Sequence, residues 1–298
     1  MENLVSIKNL KKSFGKVRAV LGLSLDISGG EIFGLIGPDG AGKTTALRMI
    51  AGIMHQDSGE CNVMGFNLPK EAEGAKEHTG YMPQKFSLYT DLTVEENMEF
   101  FADIFGIERE ALKKRLEPLL KMTRLDPFRK RLAGNLSGGM KQKLALMCTL
   151  IHRPKLLILD EPTTGVDPVS RREFWEILQE IRNEGVTIIV STPYMDEAEW
   201  CSRVGLMYNG GLLLSGSPSE LKKSIKSFAY EVSGDSEIIK SAAHGLASLE
   251  DLRPLGGHYR VVLSDESEME IFKNRANNGV QVKKTSVTIE DVFIEKIS

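Results

Sequence analysis

Cysteine is scarce. Cys61, Cys148 and Cys201 are scattered through 298 residues with no C-x-x-C spacing, which excludes a disulfide-built scaffold and a cysteine zinc site. Long apolar runs are also missing. The strongest, residues 156–159 and 186–190, are strand-sized, far short of the roughly 20 residues that span a bilayer. The opening MENLVSIKNLKKSF has no apolar signal-peptide core, so the expected compartment is the cytosol unless a partner holds the chain at a membrane. The net charge of −3 is spread over both signs and excludes a strong general attraction to nucleic acid or anionic lipid. No internal repeat, low-complexity tract or long linker is visible. What remains is a globular composition, long enough for a full core and two domains.

Residues 5–14 and 18–27 alternate loosely, as strands do. Residues 31–36 form a short buried-strand pattern that ends at a glycine-rich loop, and residues 44–52 then take a helical pattern. Between residues 85 and about 151 the character changes. Thr93 followed by Glu96 is a capping-box signature for a helix through about residue 105. Residues 108–125 and 138–151 give two more helical patterns. Residues 155–160 restore parallel-sheet character, followed by a helix at 170–185, a strand at 186–191 and a hairpin at 203–216 turning at Asn209-Gly210-Gly211. Strands alternating with helices imply an α/β fold with a helical insertion. Residues 219–298 read as β-α-β-β-α-β plus a last helix. The strands fall near 227–232, 251–255, 259–263 and 280–287, and the helices near 236–249, 266–278 and 289–297. This order predicts a small ferredoxin-like α+β unit.

Three segments carry chemistry. Gly37-Pro38-Asp39-Gly40-Ala41-Gly42-Lys43-Thr44 fits G-x-x-x-x-G-K-[ST] between a strand and a helix. Its glycines let backbone N–H groups face phosphate oxygens, Lys43 is expected to reach the β- and γ-phosphates, and Thr44 to ligate magnesium. Thr45 joins the same nucleotide-binding set. Leu156-Leu157-Ile158-Leu159-Asp160-Glu161 is an apolar strand delivering two acids to a sheet edge. Such a strand is common by itself. Beside a phosphate loop, Asp160 is placed to hold magnesium and Glu161 to act as general base. Leu136-Ser137-Gly138-Gly139 opens a helix 23 residues before Asp160. Ser137 is either an ordinary N-cap or, with Gly138 and Gly139, part of a phosphate site at the positive helix end.

In this order the three segments resemble an ABC-type ATPase cassette over roughly residues 3–217. The resemblance implies a P-loop NTPase core with a β-rich N-terminal part and a helical subdomain. The domains would be 1–218, with the helical subdomain at about 85–151, and 219–298. It also implies ATP and Mg²⁺ as ligands, and a head-to-tail dimer in which Ser137, Gly138 and Gly139 of one cassette close over ATP held by the other. Phe14 matches an aromatic that stacks on adenine, and a core Phe at a strand end is the plainer alternative. Gln84, in Gly80-Tyr81-Met82-Pro83-Gln84, matches a glutamine that ligates magnesium, assists catalysis and senses the transporter. Asp167, in Thr164-Gly165-Val166-Asp167, matches the loop that crosses the dimer interface.

Two positions depart from the family pattern. Met140 replaces a glutamine, which backbone-mediated binding tolerates. Where the family has a histidine contacting the γ-phosphate, this chain reads Ser191-Thr192-Pro193-Tyr194. Pro193 has no side-chain donor, and none of the five histidines lies near it in sequence. Either the site is slow or the substitution is tolerated. Structurally, Thr192 could cap a helix with Pro193 as its first residue.

The closing Thr288-Ile289-Glu290-Asp291-Val292-Phe293-Ile294 is similar to drug-, antibiotic- and lipid-exporter cassettes. Gly37-Pro38-Asp39-Gly40, Tyr81-Met82-Pro83-Gln84-Lys85-Phe86 and the missing histidine resemble the first cassette of bacterial tandem exporter ATPases. The resemblance thus implies an exporter ATPase at the cytoplasmic face of the membrane. Its partners would be membrane-spanning permease subunits and a second cassette, with no nucleic acid. The alternatives are a regulatory cassette that mainly binds ATP and a soluble ABC ATPase outside transport.

Overall fold

The computed structural model describes residues 3–85, 88–277 and 279–297. The expected motif residue Phe86 and the expected helix end Asn278 lie outside them. The chain divides into two compact units, Met1–Ser215 and Gly216–Ser298.

The first unit opens with β1 (Asn3–Phe14), β2 (Val17–Ser28), β3 (Ile32–Ile36) and α1 (Lys43–Ile50). Then come β4 (Ser58–Val63), β5 (Phe66–Leu68), α2 (Ala72–Lys76) and β6 (Thr79–Met82). α3 (Val94–Ile104), α4 (Arg109–Thr123) and α5 (Gly138–Leu150) make the helical insertion. β7 (Leu156–Asp160), α6 (Pro168–Asn183), β8 (Thr187–Thr192), β9 (Arg203–Tyr208) and β10 (Gly211–Gly216) complete the unit.

β1 and β2 form an antiparallel sheet with β4 and β5, in the order β2-β1-β4-β5. The central sheet runs β10-β9-β3-β8-β7-β6, and β9, β3, β8, β7 and β6 are mutually parallel. β3, β7 and β8 are buried at every residue. That is why they read as continuous apolar runs rather than alternating ones. One core joins α1 to both sheets, with Val5 and Leu23 from the antiparallel sheet, Leu47 from α1, and Phe33, Ile158 and Ile189 from the parallel one. A separate core, including Met98, Leu116, Leu120 and Leu144, holds the helical insertion together. α3 starts as the sequence predicts: the Thr93 side chain accepts from Glu96 N–H while the Glu96 side chain accepts from Thr93 N–H.

The second unit contains α7 (Pro218–Lys223), β11 (Phe228–Gly234), α8 (Ser236–Ala243), β12 (Leu249–Leu255), β13 (His258–Leu263), α9 (Glu268–Arg275), β14 (Val280–Thr285) and α10 (Ile289–Ile297). Its antiparallel sheet runs β12-β13-β11-β14, the strand order of a split β-α-β unit. α8 stops six residues before the end predicted from the sequence. His244 leaves the helical region and Gly245 takes φ +71°, so the chain turns back into β12. Among the described residues, no helix is long and apolar enough to cross a membrane.

Candidate functional site

The parallel sheet brings four sequence-distant segments to the C-terminal ends of its strands, where ligands of such sheets bind. β3 delivers the loop that starts at Gly37, and the loop then closes onto α1. A Cβ at Gly37 would sit 2.2 Å from the Met207 carbonyl oxygen. Gly42, the residue before α1, has φ +99°, and its Cβ would meet the Ala19 carbonyl oxygen at 2.3 Å. Only glycine fits either place. α1 has no side-chain cap and no acid in its first turn, which leaves its N-terminal N–H groups for an anion.

Lys43 is buried with its ammonium folded back on the loop. Nζ donates to the Gly37 carbonyl at 2.8 Å and the Pro38 carbonyl at 3.0 Å, and pairs with Glu161 Oε1 at 3.1 Å. Thr44 Oγ1 donates to Asp160 Oδ1 at 3.0 Å. The other oxygen, Asp160 Oδ2, is buried with no hydrogen-bond partner. A hydroxyl and a carboxylate with one unused oxygen are hard oxygen donors of the kind Mg²⁺ takes beside phosphates, so the residues present fit that ion.

Glu161 turns the chain out of β7 with φ +50°, a conformation unusual for a residue with a side chain. Its Oε2 accepts from Gln84 Nε2 at 2.9 Å and from Thr164 Oγ1 at 3.4 Å. Gln84, expected at magnesium, thus bonds to the expected base. The Glu161 N–H donates to Ser191 Oγ at 3.0 Å, and Ser191 Oγ donates to Asp160 Oδ1 at 2.8 Å. On the other side, burial pushes the Tyr81 phenol up; Arg48 pulls it down and the Asp160 charge raises it. The Tyr81 hydroxyl is also buried without a hydrogen-bond partner.

Phe14, at the end of β1, is 48% exposed. With Val17, Arg18 and residues 40–45 it lines a cleft of about 290 Å³ that also reaches Glu161. Pro38 and Asp39 belong to the same loop, and Ala41 donates its N–H to the Pro38 carbonyl.

Ser137, Gly138 and Gly139 share no hydrogen bond with these groups. Ser137 Oγ caps α5 by accepting from Met140 N–H at 3.3 Å. Gly139 lies so close to α6 that a Cβ would meet Ser170 Cβ at 2.5 Å. Asp167 caps α6, accepting from Val169 N–H and Ser170 N–H. Hydrogen bonds from the Ser170 side chain and backbone hold its carboxyl below the ordinary range.

Around Pro193 the structure corrects one local expectation. Thr192 does not cap a helix. Its Oγ1 accepts from Tyr194 N–H at 3.0 Å, a side-chain turn around Pro193. The short 3₁₀ helix that follows runs Met195–Trp200.

Sequence reasoning missed Ser191 as a contact of both acids, although a serine closing an Ile-Ile-Val strand is the signal.

The family profile described as ABC transporter matches residues 20–164. The linearmycin resistance ATP-binding protein LnrL of Bacillus subtilis (strain 168) is 36% identical over 253 residues, 84% of this chain and 81% of that protein. The chain belongs to the ABC transporter ATPase family. The cassette is also 41% identical, over 98% of its length, to the probable multidrug ABC transporter ATP-binding protein YbhF of Escherichia coli (strain K12). It spans about half of that relative, 52%. Among solved structures it is similar to the dimeric ATP-binding cassette MJ0796 bound to ADP and Pi. The TM-score is 0.64 at 25% identity, over 72% of this chain and 98% of that one.

Proposed function

We propose that this cassette is the ATP-hydrolysing subunit of a bacterial exporter of the drug or antibiotic class. It would work at the cytoplasmic face of the membrane with permease subunits and a second cassette. The observation that carries the reading is the buried Lys43–Glu161 pair beside Thr44 and Asp160. The ammonium and the carboxylate lie in contact, which supports reading them as a phosphate-binding cation and a general base. The names of the multidrug and linearmycin-resistance relatives support the exporter class.

In this reading Lys43 leaves the Gly37 and Pro38 carbonyls to bind the β- and γ-phosphates, while the loop N–H groups hold the rest of the charge. Its departure frees Glu161 to accept the proton of the attacking water, with Gln84 fixing the carboxylate from the other side. Thr44, Asp160 and, through its amide oxygen, Gln84 would hold Mg²⁺, which would supply charge neutralisation. Phe14 stacks on the base. Ser137, Gly138 and Gly139 close over ATP on the second cassette, and Asp167 lies in the loop that meets it. Pro193 offers no donor to the γ-phosphate, so this cassette's own site is slow.

Glu161→Gln tests the function. The amide keeps the shape and the Gln84 neighbour but cannot take a proton. With MgATP the variant should retain nucleotide, lose hydrolysis by about 10²-fold or more, and elute as a dimer in size-exclusion chromatography. Hydrolysis at the parent's rate would remove Glu161 from the role of base.

A further inference from the structure

Ser191 is fully buried at the end of β8, directly after Ile188, Ile189 and Val190. A hydroxyl in such a place is costly unless its hydrogen bonds are used. Here both are. In the parallel register of β7 and β8, Ser191 faces Asp160. Its Oγ donates to Asp160 Oδ1 at 2.8 Å and accepts from Glu161 N–H at 3.0 Å.

The carboxylate torsion of an aspartate is soft and roughly two-fold, so the backbone alone does not decide which way Asp160 faces. Two sides compete for it. Thr44 Oγ1 and Ser191 Oγ both donate to Oδ1. The Tyr81 hydroxyl is buried close enough to Arg48 and to Asp160 to feel both, yet neither it nor Asp160 Oδ2 makes a well-formed hydrogen bond. Take away the Ser191 donor and one hydroxyl, on Thr44, is left to hold the carboxylate against rotation toward the phenol. Thr44 is also the residue that must turn to the metal when nucleotide enters.

We propose that Ser191 is a positioning residue for magnesium: its hydroxyl holds Asp160 facing Thr44 after the Thr44 hydroxyl is given up to the ion. This rests on the ATP site described above and adds to it a residue outside the phosphate loop and the acidic strand end. The role is separable from the backbone turn at Glu161. The Glu161 N–H also donates to the Ser191 carbonyl at 3.2 Å, and that bond survives any side-chain change at position 191.

The test uses the full chain and a fluorescent ATP analogue, with binding measured in EDTA and across a magnesium titration. Ser191→Ala should bind the analogue in EDTA as the parent does. Its half-saturating magnesium concentration should rise about 10- to 100-fold, the usual cost of losing a group that orients a metal ligand. Turnover should recover as magnesium is raised. Ser191→Cys keeps the shape with a weak donor and should fall between parent and alanine. It carries the test alone if alanine prevents folding. A folded alanine variant with the parent's magnesium requirement overturns the assignment, and so does a cysteine variant indistinguishable from the parent. A parent that fails to bind the analogue overturns the site reading and this assignment together, whereas binding with no dependence on Ser191 overturns only the latter.

Discussion

Pro193 occupies a loop whose shape is held mainly by its neighbours. Thr192 closes the turn across it. The Arg171 guanidinium lies 4.3 Å from the Tyr194 ring centroid and donates through Nε to Glu197 Oε1, and Thr163 Oγ1 donates to the same oxygen at 2.8 Å. A different residue at 193 therefore inherits an ordered loop. Pro193→His should raise kcat of the isolated cassette by about 10²-fold, because a positioned donor to developing charge is worth about 10²- to 10³-fold. Loss of the ring restores freedom to the unfolded chain and should cost about 0.4–1 kcal/mol, read as a small drop in Tm. A folded variant with no gain in kcat would show that the proline does not limit the site. A parent that already turns over quickly alone would defeat the idea before any substitution.

At the level of elements, α10 depends on one buried carboxylate. Asp291 accepts from Thr288 N–H at 2.7 Å and from Thr288 Oγ1 at 2.9 Å. It also takes Arg253 Nη2 at 2.9 Å and Arg260 Nε at 2.8 Å, tying the helix start to β12 and β13. Burial alone would push the Asp291 carboxyl up; hydrogen bonds from Arg260 and Thr288 outweigh it and hold it below its ordinary value. A depressed carboxyl contributes stability that is present above its unfolded pKa, about 3.9, and is lost as pH falls through the lower folded value. Asp291→Ala leaves both arginines without this partner and should cost about 3–5 kcal/mol at pH 7. Hydrogen exchange at the α10 amides should show that loss at neutral pH, with the gap between variant and parent narrowing in strong acid. Equal protection of α10 in both proteins at pH 7 would refute it. The same scale shows what the sequence discloses. The buried strands β3, β7 and β8 and the capped helix α3 are legible because burial and capping write local patterns. β4, β5 and α2 carry no such pattern, for they are short and rich in Gly, Asn and Glu. α7 carries a capping box at Ser217 and Glu220, a local signal of the same kind as that of α3. In the site, the loop from Gly37 to Thr44 and the acids at 160 and 161 are legible because the chemistry needs them at fixed spacing. The bonds joining Gln84 to Glu161 and Ser191 to Asp160 span 77 and 31 residues. They follow from the order of β6, β7 and β8, which no local pattern records.

Across the whole molecule, nucleotide chemistry and the last 80 or so residues are expected to separate. Every residue assigned to phosphate, magnesium or base, from Phe14 to Ser191, belongs to the first unit. The second unit has its own core, with Val232, Ile239, Val261, Leu263 and Phe272 at its centre. An independent core is what lets a segment be removed without unravelling the remainder. A cut after Pro218 leaves β10 whole. A chain lacking residues 219–298 should therefore bind MgATP with the affinity of the full chain, measured by calorimetry, and retain its own hydrolysis rate. Two roles for the missing unit then make different forecasts. If it serves assembly or regulation, the truncated cassette will keep its Tm yet associate less with the permease subunits or the second cassette. If it only shields the first unit, Tm will fall and association per folded molecule will not change. Loss of nucleotide affinity in a truncated chain that still folds would contradict both, because it would place part of the ATP site beyond residue 218.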